Sequence, residues 1–171
     1  VTVLRNKKLL QIKIPLQETV GFNSVVTRHI YDKLPSYYIH SGLVFQPLTQ
    51  NYLETYGQDW MYIAPKKLLH YFVDANFTKR KQVIILSNIL ADAVTVGYPG
   101  MQNSVVETVN GIKVDSLATV IKAIEKNSGN FDIIRFENGG QVVLDSKQAR
   151  ARHKKLLKKY YITSDRSRDL Q

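Results

Sequence analysis

Three features of the chain predict an α+β fold. Strand-length apolar runs at Val83 to Leu90 and Val105 to Val109 carry no helical period. By contrast, Leu117, Val120, Ile121 and Ile124 recur on one helical face, and a hairpin pattern stands near each end of the sequence. The 171 residues, 44% of them hydrophobic with 10 Tyr and 6 Phe, suffice for a sizeable core in one domain or slightly more. No stretch reaches the roughly 18 apolar residues of a membrane span, and the N-terminus has no basic region followed by an apolar core to mark a signal peptide. The chain begins at Val1 without Met and reads as a fragment. With no cysteine, disulfides and thiolate chemistry are excluded, and reducing and oxidising compartments fit alike.

The first hairpin runs from Val1, Val3 and Leu4 through Arg5-Asn6-Lys7-Lys8 to Leu10, Ile12 and Ile14. Pro15 ends its return strand, because proline has no N–H to donate to a ladder. Gly42-Leu43-Val44-Phe45 is a glycine-led turn entering an edge strand, with Phe45 to Leu48 extended. Such a turn can offer converging backbone N–H groups to a peptide carboxylate, although the same four residues also fit an ordinary turn opening a buried strand. His40 beside it reads as a partly exposed turn histidine or as a contact to a terminal residue. Tyr52, Leu53, Tyr56, Leu68, Leu69, Phe72 and Val73 fall at helical spacing around Gly57 and Pro65. They predict two short helices with core-facing aromatic sides, before the charged turn Lys79-Arg80-Lys81.

The nearly continuous apolar run from Val83 to Leu90 predicts a strand buried on both faces. Turns follow at Ala91-Asp92-Ala93 and Gly97-Tyr98-Pro99-Gly100. Val105, Val106, Thr108 and Val109 form the next strand, stopped by Asn110-Gly111, a pair suited to positive φ, and resumed at Lys113-Val114. Asp115 or Ser116 caps a helix through Lys126 that keeps Lys122, Glu125 and Lys126 outside. The second hairpin joins Phe131, Ile133 and Ile134 to Val142, Val143 and Leu144 across Asn138-Gly139-Gly140.

The formal charge of +10 is concentrated near the C-terminus. Lys147, Arg150, Arg152, Lys154, Lys155, Lys158 and Lys159 follow one another with no intervening acid, and removing these seven leaves +3. With Ala149, Ala151, Leu156 and Leu157 among them, they predict a basic amphipathic helix. A solvated face is the plain reading, and an acidic or nucleic-acid partner the other. No zinc finger, RNA-recognition motif or interleaved aromatic and basic strand accompanies the helix, so nucleic acid is not the expected partner. Neither Gly-Asp-Ser-Gly nor Gly-x-Ser-x-Gly is present. No local motif gives His29, His40, His70 or His153 a catalytic partner, and His-Glu-x-x-His and phosphate-loop patterns are absent. No catalytic residue, metal or cofactor is expected.

The order of these elements is that of a bacterial-type PDZ domain. Gly42-Leu43-Val44-Phe45 resembles its carboxylate-binding loop, residues 105–114 resemble the strand and Asn-Gly turn before the groove helix, and Leu117 to Ile124 resemble that helix. More narrowly, Pro35-Ser36-Tyr37-Tyr38-Ile39, the run Ser41 to Thr49, Tyr52-Leu53, Ala64-Pro65-Lys66-Lys67-Leu68-Leu69, Val142-Val143-Leu144-Asp145 and Ile162-Thr163-Ser164-Asp165 are similar to the C-terminal part of Deg/HtrA (Do-like) serine proteases. Two departures stand out. Val44 occupies a position that is glycine in many eukaryotic members, and the segment Gln50 to Lys81 is longer than the connection in a minimal domain.

This resemblance implies a PDZ-like, partly open β-barrel or sandwich capped by helices. It carries a helical insertion at about 50–81 and a basic C-terminal helix at about 146–160. Residues 1–16 would be the closing hairpin of a preceding PDZ domain, 17–35 a connector, and 36–171 the enlarged PDZ-like domain. The implied role is a noncatalytic regulatory module of a serine endopeptidase. It would bind extended or C-terminal segments of peptides and unfolded proteins by strand addition at Gly42, Leu43, Val44 and Phe45, with Leu117, Val120 and Ile121 lining pockets. The alternative is a structural oligomerisation module with an occluded groove. Protease domain and sister subunits are the implied partners in a homo-oligomer; the compartment would be periplasmic in a bacterium, organellar or nuclear in a plant.

Overall fold

The computed structural model describes residues 2–13, 25–73 and 80–171. Val1, Ile14 and Pro15 of the expected first hairpin, residues 17–24 of the expected connector and Lys79 of the charged turn lie outside the described residues. β1 (Thr2–Arg5) and β2 (Lys8–Gln11) form an antiparallel hairpin turned by Asn6 and Lys7, both at positive φ. The main sheet contains β3 (Tyr38–His40), β4 (Leu43–Pro47), β5 (Ile84–Ile89), β6 (Ser104–Val109), β7 (Ile112–Lys113), β8 (Phe131–Phe136) and β9 (Gln141–Asp145). Its order is β3-β4-β5-β6-β8-β9 with β7 folded back on β6; every pairing is antiparallel and the sheet is not closed into a barrel. The fold is therefore α+β and PDZ-like, as the element order predicts.

The strand after Gly42 departs from expectation. β4 is not an edge strand, because β3 pairs with one side of it and β5 with the other. Tyr38-Ile39-His40 supplies that extra strand, three residues too few to show alternation in the sequence.

The helices are α1 (Gln50–Glu54), α2 (Trp60–Ile63), α3 (Lys66–Val73), α4 (Leu117–Glu125) and α5 (Ser146–Lys159). Each cap has a chemical reason. Thr49 accepts the Tyr52 N–H, Ser116 accepts the Thr119 N–H, and Asp145 accepts the Gln148 N–H, each satisfying a first-turn donor that has no helical partner. Of the two residues expected to cap α4, Ser116 does so, and the Asp115 carboxylate braces it by accepting from the Ser116 and Thr119 hydroxyls. Among its described residues the insertion holds three short helices where two are expected. Only Trp60 of α2 turns inward, edge-on to Phe72 at 5.0 Å, while Met61, Tyr62 and Ile63 are exposed, so no inward-facing period marks this helix in the sequence.

β5 separates two cores. Ile84 and Leu86 point to the first with Tyr38, Leu43, Phe45, Val106, Leu117, Val120, Ile124, Ile134 and Phe136. Val83 and Ile85 point to the second with Val26, Leu48, Leu53, Leu68, Tyr71, Phe72 and Val105. The first half of β5, Ile84 to Leu86, is covered on both faces and is wholly apolar, but Ser87 is partly exposed and Asn88 exposed, so the expected burial on both faces stops midway along the strand. Part of the connector joins the second core: Val26 is fully buried, Thr27 O accepts the Gln50 N–H, and the His29 ring bonds to Glu54.

Candidate functional site

Ser41 and Gly42 alone join β3 to β4, at φ 47° and 98°. Two central residues at positive φ mark a type I′ hairpin turn, whose twist matches that of the paired strands. The turn lies beneath α5. Ser41 donates its hydroxyl to Ala149 O at 2.7 Å and its N–H to His153 Nδ1 at 3.2 Å. Gly42 O accepts the Leu90 N–H at 2.7 Å, and a Cβ on Gly42 would stand 2.7 Å from Leu90 O, with Thr95 and Leu156 also in contact. Glycine is required here both by φ and by space.

The structure brings the remaining sequence-predicted site residues together as core. Leu43, Phe45, Leu117, Val120 and Ile121 belong to one buried cluster with Tyr38, and the most exposed of the five, Ile121, shows only 8% of its surface. Val44 is half-buried, and its carbonyl accepts the Ser87 hydroxyl.

On the other side of β3 lies the chain's own C-terminal segment. The Ile39 N–H donates to Asp165 O at 2.7 Å, Tyr38 and Arg166 form an antiparallel bridge, and the Ser167 N–H donates to Tyr37 O at 3.1 Å. Arg166 then spans to α4: its guanidinium bonds Glu125 at 2.8 Å, pairs with Asp165 at 3.0 Å and sits over the Tyr38 ring. These carboxylates hold the guanidinium charged, well above its ordinary pKa. Farther along, Leu170 packs against the first core, and a cleft of about 400 Å³ opens between Pro47, Gln82, Ser116, Leu117, Ala118 and Leu170. Within the sheet the order is thus β4, β3, residues 165–167, and Arg166 ties this last segment to α4. Sequence reasoning missed this segment as a site element, since Ser164 to Ser167 carries no apolar period to betray a strand-like pairing.

A buried polar cluster underlies the turn. His40, expected as a turn histidine or ligand contact, is instead 5% exposed, with its Nε2 2.9 Å from Asp132 Oδ2. Asp132 is fully buried and also accepts from Asn127 at 2.6 Å and Asn110 at 3.4 Å. Burial pushes this carboxyl up, but the bonds from His40, Asn127 and Asn110 outweigh it and hold the pKa below the ordinary carboxylate value. His153 stacks 6.4 Å from His40, with its Nε2 3.7 Å from Asp165. Burial, joined by the like charge of His40, lowers its pKa against the opposing pull of Asp165. Among the described residues, no group of three His, Cys, Asp or Glu could hold a metal ion, and no helix is long and apolar enough to cross a membrane.

A short turn entering a strand, an Asn-Gly hairpin and a capped helix over the sheet are the geometry a known family shares. A family profile described as PDZ domain matches residues 26–169. The chain belongs to the PDZ domain family. This PDZ module is 34% identical over 149 residues to the putative protease Do-like 3, mitochondrial, of Arabidopsis thaliana, covering 86% of the chain and 25% of that protein. It is 33% identical over 146 residues to protease Do-like 2, chloroplastic, of the same plant, covering 85% of the chain and 24% of that protein. The serine protease DegP homolog of Plasmodium falciparum is 33% identical over 127 residues, 73% of the chain and 13% of that protein. The module spans about a quarter of the length of the first two relatives.

Proposed function

We propose that this PDZ module is a noncatalytic part of a Deg/HtrA-type serine endopeptidase whose peptide groove is filled by its own chain, and that its role in the parent is structural, helping to hold protease subunits together. The pairing of residues 165–167 with β3, on the side away from β4, carries this reading. A peptide adding to β4 needs a free strand edge, and over Leu43 to Phe45 that edge belongs to β3. The exposed Met61, Tyr62 and Ile63 of α2 offer an apolar face for a sister subunit. In the same parent, the exposed Leu4 and Leu9 of the β1–β2 hairpin would be covered by the rest of a first PDZ domain.

Isothermal titration against free-carboxylate peptides tests the closed groove. The intact chain should show no binding, and weakening the cover with Arg166→Ala and Ser167→Pro should be needed to detect any. Tight binding by the intact chain overturns the reading. Light scattering tests the structural role, for which a monomer at high concentration is the opposing result.

A second reading keeps peptide binding, and the open cleft between Pro47 and Ser116-Leu117-Ala118 favours it. In that reading Gly42, Leu43, Val44, Phe45, Leu117, Val120 and Ile121 become ligand-facing once residues 164–170 and β3 release together.

A further inference from the structure

We propose that the outer ridge of α5 is a docking surface for an acidic polypeptide segment. The inner side of this helix is committed to the fold: Ser146, Ala149 and Leu156 are buried, and Ala149 O accepts the Ser41 hydroxyl. Opposite them stand Lys147, Lys154 and Lys158. At 100° per residue these three fall within about 40° of one another, and at 1.5 Å per residue they span about 16 Å. Lys155 flanks them, and all four are exposed.

The rest of the basic run is already in use. Arg152 makes a two-pronged bond to Asp92 at 2.6 and 3.0 Å, Arg150 donates to Asn127 O, and Lys159 donates to Ala91 O. Lys147, Lys154, Lys155 and Lys158 have no hydrogen-bond or ion-pair partner among the described residues.

The occupant follows from what the module lacks and what it has turned inward. A second copy of the chain is a poor complement, because its acids are engaged. Glu54, Asp92, Glu125, Asp132, Glu137 and Asp165 are in ion pairs, and Asp115, Asp145 and Asp169 accept hydrogen bonds. Among the described residues Asp32, Asp59 and Glu107 remain, on three separate segments that make no acidic strip. The partner is therefore a different molecule. Phosphate recognition favours the planar fork of arginine, and both α5 arginines are tied to the module itself. What faces outward is a row of ammonium groups, which suits the dispersed carboxylates of an Asp- and Glu-rich segment. Because Tyr161 stands 94% exposed just beyond the ridge, where a base could stack, the test includes an oligonucleotide.

Fluorescence anisotropy of the full chain with a labelled poly-glutamate peptide of about twelve residues, one ridge length when helical, reads the interaction. A Gly-Ser peptide and a thymidine oligonucleotide of equal length serve as comparisons. Poly-glutamate is expected to bind at low salt. Its affinity should fall by about tenfold or more in the triple variant Lys147→Glu, Lys154→Glu, Lys158→Glu, and again as rising salt shortens the Debye length. Circular dichroism checks that the variant keeps its fold; if it does not, the neutral triple Gln variant takes its place. Three outcomes overturn the proposal: no poly-glutamate binding by the intact chain at low salt, equal binding by the folded variant, or tighter binding of the oligonucleotide than of poly-glutamate.

Discussion

The Ser41 N–H donates to His153 Nδ1, so the turn between β3 and β4 is held by an imidazole of α5 that must be neutral at that nitrogen to accept. The remaining ring proton then sits on Nε2, toward Asp165. One side chain therefore ties the turn, the basic helix and the C-terminal segment to a single protonation state.

That tie makes stability depend on pH. The folded pKa of His153 lies below its unfolded value of 6.5. The folded state thus binds fewer protons, and this contribution is fully present above 6.5 and lost as pH falls through the folded value. Thermal melts between neutral and mildly acidic pH should show a larger fall in Tm for the native chain than for His153→Gln. Parallel curves for the two would remove His153 as the source.

Gly42→Ala is expected to destabilise the fold by about 2 to 3 kcal/mol, from positive φ together with the contact of the new methyl with Leu90 O. Urea denaturation measures it. Gly97→Ala, at a similar φ with nothing within 4 Å of its Cβ, separates the two causes and should cost less.

Removing the Asp132 carboxylate takes from buried His40 its Nε2 partner and from Asn110 and Asn127 one bond each, leaving these two their bonds to Ala123 O and Phe131 O. Asp132→Ala should therefore cost about 3 kcal/mol, whereas Asp132→Asn, which keeps an acceptor for the two asparagines, should cost about 1. Equal losses in denaturant melts would mean that shape, not bonding, holds the cluster.

Leu68→Ala opens a cavity in the second core and should cost about 3 kcal/mol. Because β5 contributes to both cores, the loss should appear in one cooperative transition whether followed by Trp60 fluorescence or by far-UV circular dichroism. Separate transitions would show that the insertion unfolds independently.

Most of this architecture was legible where periodicity is strong. Leu117, Val120, Ile121 and Ile124 located α4, Asn110-Gly111 located the β6–β7 turn, and the Val83 to Leu90 run located β5, of which only the first half is buried on both faces. The site was only half legible. Gly42 marked the turn correctly, but a glycine-led turn reads the same whether it faces a ligand or a helix. What distinguishes the two is Ser41 meeting Ala149 and His153 more than a hundred positions away, and local patterns carry no such pairing. β3 and residues 165–167 were invisible for a related reason: backbone hydrogen bonds that any side chain can accompany need leave no residue signature.

Ile84, Ile85 and Leu86 are nearly interchangeable aliphatic side chains, although they serve opposite faces of β5. Sliding such a strand by one position would still bury oil on both sides, so hydrophobicity cannot choose its alignment. The choice falls to a local irregularity: the ladder between β4 and β5 steps from Val44–Asn88 to Phe45–Leu86, leaving Ser87 over, and the Ser87 hydroxyl bonds Val44 O. A single extra serine thus acts as the index mark by which the two halves of the module are aligned.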